Sequence, residues 1–262
     1  MTQDSQNVAS EYRGYAAAFQ DQSVVEAYRH RPPYPAETFD ILTRLLSHKP
    51  TSVLDVGCGR GELARQLVER VEQVDAVDFS RSMIEQGKQL PNGNHPRLQW
   101  FEGRIEEVQL RPPYALVTAG ESVHWMDWKI VMPRFAEVLM DGAYLALVEK
   151  QTIPDPWSLL GEILAHYRTD RYTSQSHDMQ EQRLFQFMGE STTEPLLFTQ
   201  SVDDVVESYH SRAGFSRERM GFVQATAFDQ EAKEILLKSY PNSMVPFQVC
   251  AHVVWGFPKK SV

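Results

Sequence analysis

The first half of the chain alternates short apolar runs with amphipathic segments. Five runs have the length of buried strands, which predicts strands over residues 53–56, 74–77, 98–101, 115–119 and 143–148. Apolar residues at helical spacing predict helices between Pro35 and Lys49, over residues 62–71, after the cap residue Ser80, and over residues 129–140. This alternation is typical of an α/β fold, with a mostly parallel sheet and helices on both of its faces.

The pattern changes after Glu149. Helical spacing predicts helices around residues 157–167, 184–188 and 201–209, and Asp229 is the predicted cap of a helix around residues 232–236. Residues 247–255 alternate instead, which predicts an antiparallel strand that returns to the sheet. The predicted regions are an N-terminal leader or lid over residues 1–35, an α/β core over 36–150, a mainly helical cap over 151–244 with a return to the sheet, and a C-terminal strand over 245–262 that completes the sheet.

Composition narrows the choice of partners. The 262 residues carry a formal charge of −9, and their 26 Lys and Arg form no long cluster, which argues against a nucleic-acid surface. Cys58 and Cys250 have no His or Cys at metal-ligand spacing, so the sequence predicts no metal site and no disulfide framework. No apolar run approaches the ~18 residues of a membrane span. We therefore expect a cytoplasmic protein without a membrane partner, either a monomer or a homodimer.

A glycine-rich loop joins the first predicted strand to the first predicted helix of the α/β core. Gly57, Gly59 and Gly61 permit unusual backbone angles and let a ligand approach the main chain. A dinucleotide-binding loop would have a glycine at position 62, but Glu62 stands there, and an acid at a helix N-terminus repels a pyrophosphate. The loop therefore favours a ligand without phosphate groups.

Two acids near the loop favour a cationic nucleoside. Asp55 precedes the first glycine and suits an ammonium group, directly or through a water molecule. Asp78 ends the second strand, where a carboxylate can accept both hydrogen bonds of a ribose diol. A cationic amino acid joined to a nucleoside is the chemistry of S-adenosylmethionine.

Four motifs in this order resemble the class I S-adenosylmethionine-dependent methyltransferases. They are residues 53–63, residues 77–80 with Met83, residues 102–105 and residues 115–119. The resemblance implies a Rossmann-like core that binds S-adenosylmethionine and releases S-adenosylhomocysteine. It places Gly57 and Gly59 at the methionine moiety, Asp78 at the ribose and Ala119 beside the sulfonium. The residues that it places at the adenine are Phe79, Met83, Gly103, Arg104 and Ile105.

A narrower resemblance concerns residues 28–35, 121–125 and 201–214. These segments are similar to the subgroup that includes trans-aconitate methyltransferase and related small-molecule enzymes (methyltransferase type 11). In that subgroup a leader folds over the cofactor, which implies cofactor contacts for Tyr28 and Arg31, and an insert covers the substrate. Arg31 also suits the methionine carboxylate, because it is a cation in a rigid Pro-flanked turn. Aromatic candidates for substrate contact are Tyr15, Phe19, Trp125, Trp157 and Tyr167.

Methyl transfer requires few catalytic side chains. The reaction is an in-line displacement, so the site must align the acceptor and exclude water. A base is needed only for a protonated nucleophile, and His124 is the candidate base or substrate contact because it follows the fourth strand.

We expect a small-molecule acceptor, an organic acid or secondary metabolite, methylated at oxygen. The alternatives are N- or C-methylation of a natural product or peptide, and a non-catalytic S-adenosylmethionine-binding protein. A nicotinamide-dependent dehydrogenase is the weakest alternative.

Overall fold

The computed structural model describes residues 16–169 and 184–260. The helices in this part of the chain are α1 Gln22–Ala27, α2 Glu37–Arg44, α3 Ala64–Leu67, α4 Arg81–Lys88, α5 Trp128–Val138, α6 Gly161–Tyr167, α7 Val202–Tyr209, α8 Arg217–Met220 and α9 Phe222–Ser239. The strands are β1 Ser52–Val56, β2 Gln73–Asp78, β3 Leu98–Glu102, β4 Tyr114–Gly120, β5 Leu139–Ile153, β6 Phe185–Thr192, β7 Leu196–Ser201 and β8 Met244–Pro258. None of the described helices is both long enough and apolar enough to cross a membrane.

The described residues divide into two compact units. The first, called the sheet unit below, comprises residues 34–150, 184–194 and 250–260. The second, called the helical unit, comprises residues 16–33, 151–169 and 195–249. Each unit therefore combines segments that are far apart in the sequence.

The sheet unit contains a mostly parallel sheet in the order β3-β2-β1-β4-β5-β8-β6. The pairs β1–β2, β1–β4, β2–β3 and β4–β5 are parallel, and β6 runs antiparallel to β8. The predicted α/β fold with an antiparallel C-terminal strand is confirmed. The strand order reverses beside β1, and in open sheets of this type ligands bind outside the carboxyl ends of the strands at such a point.

Alternate residues of β1 face opposite sides of the sheet, as the two-residue period of a strand requires. Val53 belongs to a core with Leu42 of α2 and Leu67 of α3. Leu54 belongs to another core with Phe135 of α5. Helices therefore cover both faces, and the buried apolar strands are explained by this double cover.

The core of the helical unit is rich in aromatic rings. Phe228 of α9 is fully buried, and its ring lies within 6 Å of the rings of Tyr167, Tyr209 and Phe215, measured between centroids. Edge-on and tilted ring pairs at such distances are favourable. Strand β7 adds to this unit by pairing antiparallel with residues 244–249 of β8.

The N-terminal segment is fastened to the helical unit by polar bonds. The Asp21 carboxylate accepts hydrogen bonds from Ser216 Oγ at 2.6 Å and from Arg219 Nε at 2.8 Å. The Ser23 amide donates to Glu218 at 2.9 Å. His30 Nδ1 lies 2.8 Å from the Asp204 carboxylate. The described part of the leader is therefore a component of the helical unit.

Two predictions about the second half of the chain are wrong. Residues 184–188 were expected in a helix, but Phe185 begins β6, because this stretch pairs with the distant strand β8. Asp229 was expected to cap a helix, but α9 begins at Phe222 and includes it. The Asp229 carboxylate instead binds His210 and Arg217 at 2.7 and 2.8 Å.

Two predicted boundaries in the sheet unit also differ. The helix expected over residues 62–71 is regular only over Ala64–Leu67, with turns on either side. The strand expected over residues 143–148 is longer, because β5 begins at Leu139 and includes the dipeptide Asp141-Gly142. Its register against β4 shifts between the pairs Tyr114↔Leu139 and Leu116↔Tyr144. A register shift can accommodate the turn-forming dipeptide within one long strand.

Truncation of Phe135 tests the packing of α5 on the sheet. Because this ring is fully buried, we expect Phe135→Ala to lower the free energy of unfolding by about 3–5 kcal/mol. Ile130 lies on the same helix but is 44% exposed, so Ile130→Ala is the matched control and should change stability by only about 0.5 kcal/mol. Urea unfolding followed by circular dichroism measures both, and equal losses would contradict the packing described here.

Candidate functional site

The loop after β1 leaves its main chain open at one glycine. Gly57 and Gly59 have φ angles of +61° and +55°, in the left-handed region that favours glycine. A Cβ on Gly57 would lie only 2.5 Å from Ser122 Cβ, whereas one on Gly59 would meet nothing nearer than Glu62 Oε2 at 4.0 Å. Gly57 is therefore required by close packing, and Gly59 provides accessible main chain for a ligand.

Asp78 connects this loop to the end of β2. Its Oδ2 accepts a hydrogen bond from the Gly59 amide at 2.7 Å, and its Oδ1 accepts one from the Ser80 amide at 2.8 Å. Burial raises the pKa of Asp78 to about 6; the two amide bonds oppose this rise and the nearby Glu62 adds to it. An ionised carboxylate has more acceptor positions than these two bonds use, so Asp78 can still bind a diol.

Asp55 is a second buried carboxylate beside the loop. It accepts hydrogen bonds from the Thr118 hydroxyl at 2.9 Å and from the Ala64 amide at 3.2 Å. Burial raises the pKa of Asp55 to about 7, against the effect of these hydrogen bonds, and Glu62 and Asp78 raise it further. The region therefore holds three acids, of which Glu62 is paired with Arg60 at 2.8 Å.

This arrangement fits S-adenosylmethionine better than a phosphate-bearing cofactor. Asp55 and Asp78 lie beside the Arg60–Glu62 pair as further carboxyl groups, and this excess of acids favours a ligand with ammonium and sulfonium groups. The open main chain at Gly59 lies directly beside the carboxylate predicted to bind the ribose. The donor set of the loop therefore agrees with the cofactor deduced from the sequence.

The structure brings together the residues predicted for the adenine. The Gly103 amide donates to the Asp78 carbonyl at 2.9 Å, which joins the end of β3 to the end of β2. The Arg104 guanidinium lies 5.8 Å from the centre of the Phe79 ring. Met83 and Ile105 are buried in the sheet unit. These contacts join Gly103 and Arg104 to the end of β2, and the binding of adenine by the five residues stays a prediction.

The residues predicted to lie near the methyl group are at the end of β4 or just after it. Ala119 is buried in this strand. Ser122 donates a 2.7 Å hydrogen bond to the Val56 carbonyl and so holds the turn after β4 against the end of β1. His124 and Trp125 lie on the 3-10 turn that comes next, with ring centroids 4.9 Å apart. Their position at the carboxyl end of β4 agrees with the predicted one, and their roles stay predictions.

The remaining candidates belong to the helical unit. Arg31 donates to Ser211 Oγ at 2.8 Å and lies 4.2 Å from the centre of the Tyr28 ring. The Tyr28 ring is in turn 6.3 Å from that of Phe19. Trp157 packs edge-on against Tyr209, and Tyr167 donates to Glu231, as the contacts within this unit show. Tyr15 lies outside the described residues. The predicted cofactor and substrate contacts of all six candidates are not tested.

Sequence reasoning missed two hydroxyl groups of the site. Thr118 binds Asp55, and Ser122 binds the Val56 carbonyl. A signal existed for Thr118, because it is the one polar residue in the apolar run of residues 115–119. Ser122 has no such signal, since its contact depends on how β4 lies beside β1.

Comparisons with known proteins agree with this geometry. The sequence pattern of the methyltransferase domain matches residues 53–142. This range holds β1 to β4, the glycine loop and the turn after β4. Residues 53–142 form a class I S-adenosylmethionine-dependent methyltransferase domain. This domain is an enzyme domain, and its cofactor is S-adenosylmethionine.

Curated relatives match parts of the chain. An uncharacterized methyltransferase of Mycobacterium bovis is 35% identical over 128 residues, 48% of this chain and 50% of that protein. A malonyl-[acyl-carrier protein] O-methyltransferase of Halalkalibacterium halodurans is 33% identical over 85 residues, which are 30% of this chain and 31% of that protein. A trans-aconitate 2-methyltransferase of Azoarcus sp. is 28% identical over 45% of this chain and 46% of its own. The chain thus spans about a third to a half of these relatives.

A solved structure extends the likeness of fold beyond the methyltransferase domain. A chain from Anaeromyxobacter dehalogenans, assigned as a type II methyltransferase, matches with a TM-score of 0.64 and 22% identity. The match covers 87% of this chain and 99% of that one. At this identity the likeness concerns the fold alone.

A substitution at Asp78 tests the methyltransferase domain's cofactor site. We expect Asp78→Asn to weaken S-adenosylhomocysteine binding about tenfold to a hundredfold, because a charged acceptor of the ribose is lost. Glu102 is an exposed acid at the end of the neighbouring strand β3, so Glu102→Gln is the control and should bind normally. Titration calorimetry measures both, and equal affinity in Asp78→Asn and the original protein would disprove the ribose role.

The raised pKa of Asp55 predicts a pH dependence of stability. The folded state holds the proton more tightly than the unfolded chain, whose Asp pKa is ~3.9, so stability falls as pH rises from about 4 to 7. Without cofactor, we expect the melting temperature to decline less between pH 5 and pH 8 in Asp55→Asn than in the original protein. Scanning calorimetry measures this decline, with the exposed Asp141→Asn as control. An unchanged pH slope in Asp55→Asn would show that this carboxyl does not titrate in that range.

Proposed function

We propose that this protein transfers the methyl group of S-adenosylmethionine to an oxygen of a small molecule, an organic acid or a secondary metabolite. The observation that carries the proposal is the contact between Gly59 and Asp78 at the point where the strand order reverses. There an accessible main chain, a ribose acceptor and a group of carboxylates suited to a cation occur together. No other part of the described chain combines these three features.

Each part of the site has a task in this reaction. Asp78 would bind the ribose hydroxyls, and the main chain at Gly59 would lie along the methionine moiety. The carboxylates of Asp55 and Glu62 would stabilise the cationic cofactor electrostatically, by an interaction that weakens once the sulfonium has lost its methyl group. The cofactor supplies the methyl group and the positive charge that makes sulfur a leaving group. The protein aligns the acceptor oxygen and keeps water from the reacting atoms.

The choice of an oxygen acceptor has support from chemistry and from the relatives. A carboxylate acceptor is already deprotonated at neutral pH and needs no base, and the one candidate base named from the sequence is His124. Two curated relatives are named for malonyl-[acyl-carrier protein] O-methylation and for trans-aconitate methylation. Both names contain a carboxylic acid or its acyl group, which supports the same class of acceptor for this chain.

The proposal is tested by product formation with chosen acceptors. Purified protein is incubated with S-adenosylmethionine labelled in the methyl group and with trans-aconitate, malonate, a simple phenol, a primary amine or a short peptide. We expect transfer to at least one acid, with the methyl ester identified by mass spectrometry, and no transfer by Asp78→Asn. Transfer only to the amine or the peptide would contradict O-methylation. Tight binding of S-adenosylhomocysteine without transfer to any compound in a wider metabolite extract would contradict enzymatic activity.

A substitution at His124 distinguishes a carboxylate acceptor from an acceptor that must lose a proton. If the acceptor is a carboxylate, we expect His124→Ala to retain kcat/KM within about threefold, because no proton is removed in the reaction. His166→Ala, at an exposed position of α6, is the control for replacement of a histidine. A loss of a hundredfold or more, with a rate that rises near the pKa of a histidine, would instead identify a protonated nucleophile such as a phenol or an amine.

A cytoplasmic location and a monomeric or homodimeric state are further proposals. The first follows from the two unpaired cysteines, both buried, which require no oxidising compartment. The second is measured directly by light scattering of the purified protein.

A further inference from the structure

The residue that follows β4 has an unusual backbone. Glu121 has a φ of +51°, a left-handed conformation that is unfavourable for a residue with a side chain. Its amide donates a hydrogen bond to the Val148 carbonyl of β5 at 2.9 Å, so this conformation is part of the sheet's ordered edge. Strained residues persist only where neighbouring groups hold them, and they occur often at functional sites.

A nearly buried cation lies beside Glu121. The Lys150 side chain, on β5, is only 9% exposed, and its Nζ is 3.7 Å from Glu121 Oε2. The same Nζ lies 4.5 Å from the centre of the Tyr34 ring. An ammonium group is attracted both to a carboxylate and to an aromatic face, and both attractions strengthen when water is excluded. Lys150 is therefore held between Tyr34, which lies three residues before α2, and Glu121, which follows β4.

Tyr34 also contacts the residue before Glu121. A Cβ added to Gly120 would lie 2.8 Å from the Tyr34 hydroxyl oxygen and 2.9 Å from Leu63 Cδ1. The phenol therefore packs closely on the main chain of Gly120. Tyr34 thus contacts the last residue of β4, and Lys150 contacts the residue after it.

The turn after Glu121 in turn contacts the glycine loop. Ser122 is buried, donates to the Val56 carbonyl, and packs on Gly57 so closely that a Cβ there would clash with it. The Trp125 amide donates to the Ser122 carbonyl at 3.0 Å. Glu121 thus directly precedes the residue that contacts the glycine loop.

We propose that Lys150 is a positioning residue for the methyl-transfer site. With Tyr34 it holds Glu121 in the left-handed conformation and so fixes the turn of residues 121–125 against the glycine loop. The link to methyl transfer rests on the function proposed above, whereas the effect on the turn does not. Lys150 and Tyr34 both lie outside residues 53–142, so this role is not part of the matched domain.

The turn itself can be followed by hydrogen–deuterium exchange without any acceptor. We expect Lys150→Met and Glu121→Gln to speed exchange in a peptide spanning residues 117–128 about tenfold, and to weaken S-adenosylhomocysteine binding about fivefold in calorimetry. Lys150→Arg should rescue both properties to within twofold, because it keeps a cation near the ring and the carboxylate. Lys129→Met, at an exposed position next to the turn, is the matched control and should behave like the original protein.

A double-mutant comparison distinguishes positioning from a general effect on stability. Glycine adopts a φ of +51° without strain, so Glu121→Gly removes the need for Lys150. In the E121G background, we therefore expect Lys150→Met to change exchange by less than twofold. The same tenfold effect in both backgrounds would overturn the proposal, as would normal exchange in Lys150→Met. Far-UV circular dichroism confirms that each variant is folded.

The proposed function can fail separately from this inference. If the original protein does not bind S-adenosylhomocysteine, the cofactor proposal fails, while the exchange comparison still reports on Lys150. If binding is normal but Lys150→Met leaves both exchange and affinity unchanged, only the positioning role fails.

Discussion

The hydrogen bond from the Gly59 amide to the Asp78 carboxylate joins the two parts of the chain on which the site depends. It connects the loop after β1 with the end of β2, beside the position where the strand order of the sheet reverses. The bond is favourable because a charged acceptor meets a main-chain donor in a buried place. The buried carboxylate also carries a cost of desolvation, which is visible in its raised pKa. The site is thus built around a charge that the fold itself does not fully stabilise.

The same cost of desolvation applies to the group of acids at this loop. Glu62 and Asp78 both disfavour the ionised form of Asp55, and Glu62 disfavours that of Asp78. Among the described residues, only Glu62 of the three has a close cationic partner. Such a group is unfavourable for folding in isolation but favourable for binding a cation. Energy that destabilises the unliganded site is recovered when a positive ligand arrives. The same reasoning argues against a pyrophosphate, which would add negative charge at this point.

The sequence predicted the sheet and the cofactor loop because both depend on local patterns. Apolar runs such as residues 115–119 identify buried strands, and the glycine spacing identifies the turn at Gly57 and Gly59. Residues 184–188 were misjudged because their strand depends on pairing with residues of β8 that lie about seventy positions later. Lys150 and Tyr34 were not recognised for the same reason, since their contact with the end of β4 is visible only in three dimensions. The roles of Trp157 and Tyr167 were inferred from family likeness, and local pattern alone cannot define them.

The bonds that fasten the leader to the helical unit have a consequence for how the protein is made. Ser216 and Glu218, which bind Asp21 and Ser23, lie 195 residues further along the chain. At a synthesis rate of about 5–20 residues per second, the leader leaves the ribosome about 10 to 40 seconds before these partners exist. The sheet's parallel core is encoded almost entirely within that interval. The nascent chain can therefore form the cofactor loop first and complete the helical unit only when synthesis is nearly finished.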